Sequence, residues 1–330
     1  MRPRKLALLF APFLLLAMLP GAVSAAGPSQ QAQSRAEVLA YWTPERMKSA
    51  KWRDVAFDPG ASAGRIVSNA APTGTSTGAS WPSSATDPIT RATGRAYFTM
   101  GTSNYICSGS VVTEGRSGYS VVLTAAHCTV DETNGRFATN WLFIPAFDLA
   151  PTYTCGNTWY GCWTAKALVT RREFATAGAL TSTALQHDWA FAVVAGGGKT
   201  SNANLDLVTQ VGGSFALEAT SGVGTFMTAI GYPAAQKYRG KDLVYCQGTV
   251  GTDSNTSGKT YRMACDMTGG SSGGPWVRDA ASGYGAKLKS LNSYGYSGVK
   301  NMYGPIFNTK TQDTLNTANS TTTGTVLVGN

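Results

Sequence analysis

The chain has 330 residues, 43% hydrophobic and 14% charged, with a formal net charge of +9. Three positive residues, Arg2, Arg4 and Lys5, sit in an N-terminal stretch without acidic residues, which leaves +6 for the remainder. No block of Lys and Arg appears, so the excess reads as a solubility property and a nucleic-acid-binding role is not expected.

Those first basic residues precede an apolar run from Leu6 to Leu19 and a small-residue stretch, Gly21 to Ala26. This is the layout of a secretory signal peptide, predicted over 1–26 with a cut after Ala25 or Ala26. The run is shorter than the roughly 20 residues of a membrane-spanning helix, and no other stretch approaches that length. The expectation is a secreted, extracellular protein without a membrane anchor.

Residues 27–95 follow as a mixed segment. A helix-like stretch with charges, Arg35 to Arg53, leads into a Gly/Ser/Thr/Pro-rich stretch from Pro59 to Pro88 that cannot build much core. The expected reading is a pro-segment and linker; a flexible extension of the mature protein is the alternative.

From 96 to 330 the texture changes to short runs such as Ser120-Val121-Val122-Leu123-Thr124 and Trp189-Ala190-Phe191-Ala192-Val193-Val194, separated by Gly, Asn and Ser clusters. These read as strands joined by turns, and they predict an all-β sandwich or barrel. The tail from Asn308 to Asn330 is expected to add a terminal strand or helix and a frayed end. Export also governs the six cysteines, because oxidising compartments preserve disulfides. Sequence proximity favours Cys107 with Cys128, Cys155 with Cys162 and Cys246 with Cys265.

Gly269-Gly270-Ser271-Ser272-Gly273-Gly274-Pro275 places a serine in a tight glycine turn, where the missing side chains expose a hydroxyl and neighbouring backbone N–H groups. Alone it is ambiguous, since Gly-rich serine turns are common loops and the same residues satisfy the Gly-x-Ser-x-Gly elbow of α/β-hydrolases. The histidines narrow the choice. The chain has two, His127 and His187, both ahead of the serine. An α/β-hydrolase needs its histidine after the serine, and no short ligand spacing for a metal exists. Adjacent residues in a strand face opposite ways, so Asp188 is expected to orient His127 and not its neighbour His187, which is read as a surface or edge residue.

Thr124-Ala125-Ala126-His127-Cys128, His187-Asp188-Trp189-Ala190 and Gly270-Ser271-Ser272-Gly273-Gly274-Pro275 resemble the three signature segments of chymotrypsin-like serine proteases, in that family's order. Ile106-Cys107-Ser108-Gly109-Ser110 resembles the strand that the family bridges to the cysteine after its histidine, which implies Cys107–Cys128. The resemblance covers roughly residues 95–310. It implies two six-stranded antiparallel β-barrels with the active site between them, Ser272 as nucleophile, His127 as general base and Asp188 as its orienter. Backbone N–H groups of Gly270 and Ser272 would hold the oxyanion, and the expected partners are peptide or protein substrates, with no cofactor or metal and a monomeric chain.

Ser271 departs from animal trypsins, which carry an aspartate there to pair with the newly cut N-terminus. The Arg65-Ile66-Val67 string, similar to a trypsinogen activation site, is therefore read as coincidental. Thr268-Gly269-Gly270 looks closer to the bacterial glutamyl-endopeptidase branch. For the substrate pocket the resemblance implies Asp266, Thr268, Asn292, Ser293 and Gly295. Asp266 would favour a basic residue, whereas a Glu-selecting pocket in that branch often relies on a histidine absent here. A catalytically silent homologue and an esterase with the same triad are the competing readings.

Overall fold

A computed structural model describes residues 33–329 apart from 59–60, 62, 68–77, 114–115, 117, 200–204 and 236. The signal-peptide expectation thus lies outside the described residues. The β-branched and aromatic runs from residue 93 onward form two barrels, as the resemblance implies. In the first, Thr93–Met100 pairs with Ser103–Val112 and with Thr139–Pro145, followed by Trp163–Arg171, Ala190–Val194 and Ser120–Thr124. Ser120–Thr124 returns to Ser103–Val112 and closes six antiparallel strands. Closure removes the free edges, and the strands carry buried apolar side chains on both faces, among them Val111, Val122, Leu142, Phe143, Val169 and Phe191.

The second barrel is built differently. Lys287–Leu291, Pro275–Arg278, Phe226–Gly231 and Val244–Thr249 make one antiparallel sheet, and Thr260–Ala264 pairs with Asn301–Pro305 in another. The two sheets are joined by side chains. The Cys246–Cys265 disulfide ties Val244–Thr249 to the residue after Thr260–Ala264, and the Ser290 hydroxyl donates to the Pro305 carbonyl at 2.7 Å. Between them Trp276 stacks on Tyr261, both buried.

Ser108 fastens one barrel to the other. Its N–H donates to the Ser272 carbonyl (2.7 Å), its hydroxyl donates to the Gly270 carbonyl (2.8 Å), and that hydroxyl accepts from the Tyr232 N–H (2.9 Å).

The described residues of 33–58 pack against the barrels. The helix-like stretch divides into Arg35–Tyr41, opened by a Ser34/Glu37 capping box, and Pro44–Ser49, opened by Thr43 with proline in the first turn. Val38, Trp42 and Met47 are buried against the first barrel, and the Trp42 indole donates to the Asn140 carbonyl at 2.6 Å. The chain then runs as Lys51–Trp52 and Asp54–Phe57, adding strands to both barrels. Arg65, Ile66 and Val67 fall in the strand Ala63–Val67, which pairs with Asp54–Phe57 and Leu180–Thr181. At the other terminus, helix Thr309–Ser320 and strand Gly324–Val328 both form, the strand lying parallel to Trp163–Arg171. Among the described residues no helix is long and apolar enough to cross a membrane.

All three cysteine pairs join as sequence proximity favours. The Cys107–Cys128 bridge closes a loop with a sequence separation of 21 that carries His127. Replacing both with alanine removes about 3 kcal/mol of stability. The expected melting-temperature fall is roughly 5–10 °C by calorimetry, and an unchanged Tm would show that the turn is held without the bridge.

Candidate active site

His127 lies in the 3-10 turn Ala126–Cys128, just after the strand Ser120–Thr124, and is completely buried. Its backbone N–H donates to Asp188 Oδ1 at 2.9 Å, and its Nδ1 lies 2.7 Å from Asp188 Oδ2. Asp188 also accepts a 2.6 Å hydrogen bond from the Ser293 hydroxyl, which comes from the second barrel. Burial alone would push the carboxyl up. The facing imidazole, its ring and backbone hydrogen bonds and the Ser293 hydroxyl outweigh that and hold Asp188 below the ordinary carboxylate range. An ionised carboxylate can only accept, so Nδ1 carries the proton in this contact. Nε2 is buried and has no hydrogen-bond partner among the described residues.

Asp188 reaches this position from a turn and not from a strand. His187 and Asp188 leave the short helix Ser182–Leu185 through N–H bonds to the Ala184 and Leu185 carbonyls, two residues before the strand Ala190–Val194 begins. The two side chains part because of that turn. His187 is half-buried, with Nδ1 3.0 Å from the Thr183 carbonyl, and burial pushes its pKa down.

The glycine turn that carries Ser272 packs against the histidine segment. Gly273 has φ +83°, and a Cβ there would collide with Thr124 Oγ1 and the Ser108 carbonyl, so only glycine lets the turn sit against the histidine segment. Cys128 Sγ lies 4.0 Å from the Ser272 carbonyl oxygen. The Ser272 hydroxyl and His127 Nε2 are not hydrogen-bonded to each other, a common state of such pairs without substrate. Gly270 has φ +97°, and the N–H groups of Gly270 and Ser272 donate to no group among the described residues. The neighbouring Ser271 is buried and satisfied locally, its hydroxyl donating to the Thr268 carbonyl at 2.8 Å. No ion pair with a chain terminus is needed at that position. The sulfurs of Cys107 and Cys128 and a ring nitrogen of His127 lie within 4.8 Å of one another, but disulfide sulfurs offer no thiolate to a metal.

A family model for the trypsin-like peptidase domain matches residues 107–283, a span that includes His127, Asp188 and Ser272. The chain belongs to the trypsin-like peptidases. Membership makes it a serine endopeptidase, a hydrolase. The protease Anisep from Arthrobacter nicotinovorans is 38% identical with a TM-score of 0.58, over 70% of this chain and 96% of that one. A thermostable serine protease, AL20, from an extremophilic microorganism is 34% identical with a TM-score of 0.61, over 71% and 99%. A Glu endopeptidase shares the fold at 17% identity and a TM-score of 0.54, over 75% of this chain and 99% of that one. No curated protein sequence matches the chain.

Beside the peptidase's glycine turn lies a cavity of about 260 Å³. Asp266, Thr268 and Gly295 line it; Asn292 and Ser293 do not. Ser293 is committed to Asp188. The buried Asn292 amide donates to the Ile230 and Ser271 carbonyls (2.9 and 3.1 Å) and accepts from the Trp276 indole (2.7 Å), so it braces the glycine turn from behind. The Asp266 carboxylate accepts from Lys237 Nζ (2.6 Å), the Tyr238 hydroxyl (2.5 Å) and the Gly78 N–H (3.0 Å).

Sequence reasoning missed Ser108, whose only signal is its place after Cys107, and it missed Trp52, Arg53 and Asp54 altogether. Asp54 lines the cavity. It keeps some exposed surface there while protein surrounds it otherwise, and burial raises its pKa from 3.8 to about 6 against the opposing pull of His127 and the Val55 and Gly269 N–H groups. A carboxyl whose folded pKa is raised favours folding when protonated, so its contribution is present below about pH 4 and is lost as pH rises through 6. Asp54→Asn should flatten the melting-temperature profile over that window relative to the parent protein. Parallel profiles would show that Asp54 titrates as an exposed carboxylate.

Proposed function

We propose that this trypsin-like peptidase hydrolyses peptide bonds through an acyl-enzyme on Ser272, with His127 as general base and Asp188 as the group that fixes its tautomer. The observation carrying the reading is the Asp188 carboxylate: fully buried, it takes both the N–H and Nδ1 of His127 and leaves Nε2 unpartnered. Nε2 is then the base that removes the Ser272 proton as the hydroxyl attacks the carbonyl and later returns it to the leaving amine. The unengaged N–H groups of Gly270 and Ser272 support an oxyanion site, each such donor contributing about 3 kcal/mol to the transition state. We further propose that the protein is exported by its N-terminal segment, that 27–95 is a pro-segment and linker, and that the mature enzyme is a monomer acting on proteins or peptides outside the cell.

A fluorophosphonate should label the protein at Ser272 and lose that labelling in Ser272→Ala. Asp188→Asn, which keeps the shape but lets the ring adopt the wrong tautomer, should lower kcat by about 10⁴-fold. Labelling unaffected by His127→Ala, or near-normal kcat in Asp188→Asn, would refute these roles.

The pairing of Asp266 with Lys237 and Tyr238 argues against its use as a counter-charge for a basic substrate residue. On a peptide library, Asp266→Ser should leave the ranking of Arg and Lys at the cleavage site unchanged, while stability falls by about 1–3 kcal/mol as its partners lose their acceptor. Selective loss of cleavage after Arg and Lys would restore Asp266 as the selecting charge.

A further inference from the structure

We infer that residues 51–57 are an autoinhibitory strap: they occupy the strand edges that a substrate backbone needs, and the peptidase is latent while they remain. The inference rests on the proposed roles of His127, Asp188 and Ser272. Its first support is a strand addition. Asp54–Phe57 runs parallel to Tyr294–Tyr296, pairing Val55 with Tyr294, Ala56 with Gly295 and Phe57 with Tyr296, and the Ser297 N–H donates to the Phe57 carbonyl at 2.8 Å. Tyr294–Tyr296 directly follows Ser293, the hydroxyl on Asp188, and Gly295 and Tyr296 line the cavity beside the nucleophile turn. An extended peptide reaching Ser272 with a side chain in that cavity must use this edge, since main-chain pairing is how a sheet binds a strand. The edge is already filled.

The other end of the strap lies on the other barrel. Lys51 and Trp52 pair with Tyr105 and Ile106, immediately ahead of Cys107, and the Arg53 N–H reaches the Ile106 carbonyl at 3.4 Å. The segment therefore crosses from the barrel that carries His127 to the barrel that carries Ser272. At mid-span Trp52 and Asp54 press on Gly269, where a Cβ would collide with Trp52 Cδ1 and come within 2.8 Å of Asp54 Cβ. Arg53 points inward, its guanidinium donating to the His127 carbonyl and, at 2.9 Å, to Glu132. Asp54, Val55 and Ala56 form one wall of the cavity. Substrate and strap compete for the same backbone groups and the same space, so activity requires the strap to leave.

The test compares the intact exported chain, its length verified by mass, with the N-terminally processed protein and with two intact variants. Val55→Pro puts a residue without N–H inside the paired strand, and Trp52→Ala removes the half-buried ring against Gly269. A small fluorophosphonate reads Ser272 chemistry, and a peptide substrate reads access to the cleft. We expect the variants to hydrolyse the peptide about tenfold faster than the intact parent, the processed protein faster still, and no cut within 51–57. Equal peptide hydrolysis by intact parent, variants and processed protein would overturn the strap, as would efficient self-cleavage inside it, which would make it a substrate. If Val55→Pro melts below the assay temperature, Trp52→Ala and the processed protein carry the same comparison. Failure of every form, processed included, to label at Ser272 would instead overturn the catalytic reading, and the inference with it.

Discussion

The structure depends most on one buried charge. A carboxylate without solvent is costly unless every lone pair that faces the protein finds a donor. Asp188 meets that demand with groups from both barrels: the main chain and ring of His127 from the first, the hydroxyl of Ser293 from the second. The barrels must therefore dock in the one arrangement that brings Ser293 to Asp188. Electrostatic need, and not apolar packing alone, sets the relation between the two halves.

The same docking determines where Ser272 lies. Ser293 follows Asn292, whose amide braces the carbonyls of Ile230 and Ser271, while the Gly273 N–H donates to the Asn292 carbonyl at 2.8 Å. A shift of Ser293 would move the floor beneath the glycine turn. Ser108 adds a second tie from the opposite side, engaging the carbonyls of Gly270 and Ser272. The N–H groups of Gly270 and Ser272 share their peptides with the carbonyls of Gly269, held by the Ala234 N–H, and Ser271, held by the Gly274 N–H and the Asn292 amide, and they donate to no group among the described residues. A turn of this kind makes an anion site from backbone alone, and its glycines are needed because side chains would meet Thr124, Ser108 or Tyr232.

Local chemistry in the sequence made the barrels, the glycine turn and the choice of His127 legible. The strand runs are short and β-branched, and two histidines left little room for other assignments. Asp188 faces His127 and not His187, and a helix-ending turn, not strand alternation, is what separates it from His187. The pocket was harder to read. The resemblance implied Asp266 for the pocket but could not reveal Lys237 and Tyr238, which lie in a separate loop and take up its charge. The path of residues 51–57 was invisible for the same reason. A strand that pairs with positions some 50 and 240 residues away leaves no local periodicity, and two-residue and four-residue strands are too short to show alternation.

The anchor of that segment constrains how it can be released. Arg53 and Glu132 form an ion pair with both side chains almost wholly buried, and the same guanidinium caps the carbonyl of His127. Taking away one member of such a pair costs about 3–5 kcal/mol because the other charge stays behind in a poor solvent. Severing the chain downstream would free the strap from its tether without removing this penalty. Departure has to be accompanied by water reaching Glu132, and Glu132 lies in the loop that follows the histidine turn, with its carbonyl accepting from the Gly178 N–H at 2.9 Å. The residue that pairs with Arg53 thus lies in the loop that follows the His127 turn, so departure of the segment would leave a buried charge in that loop.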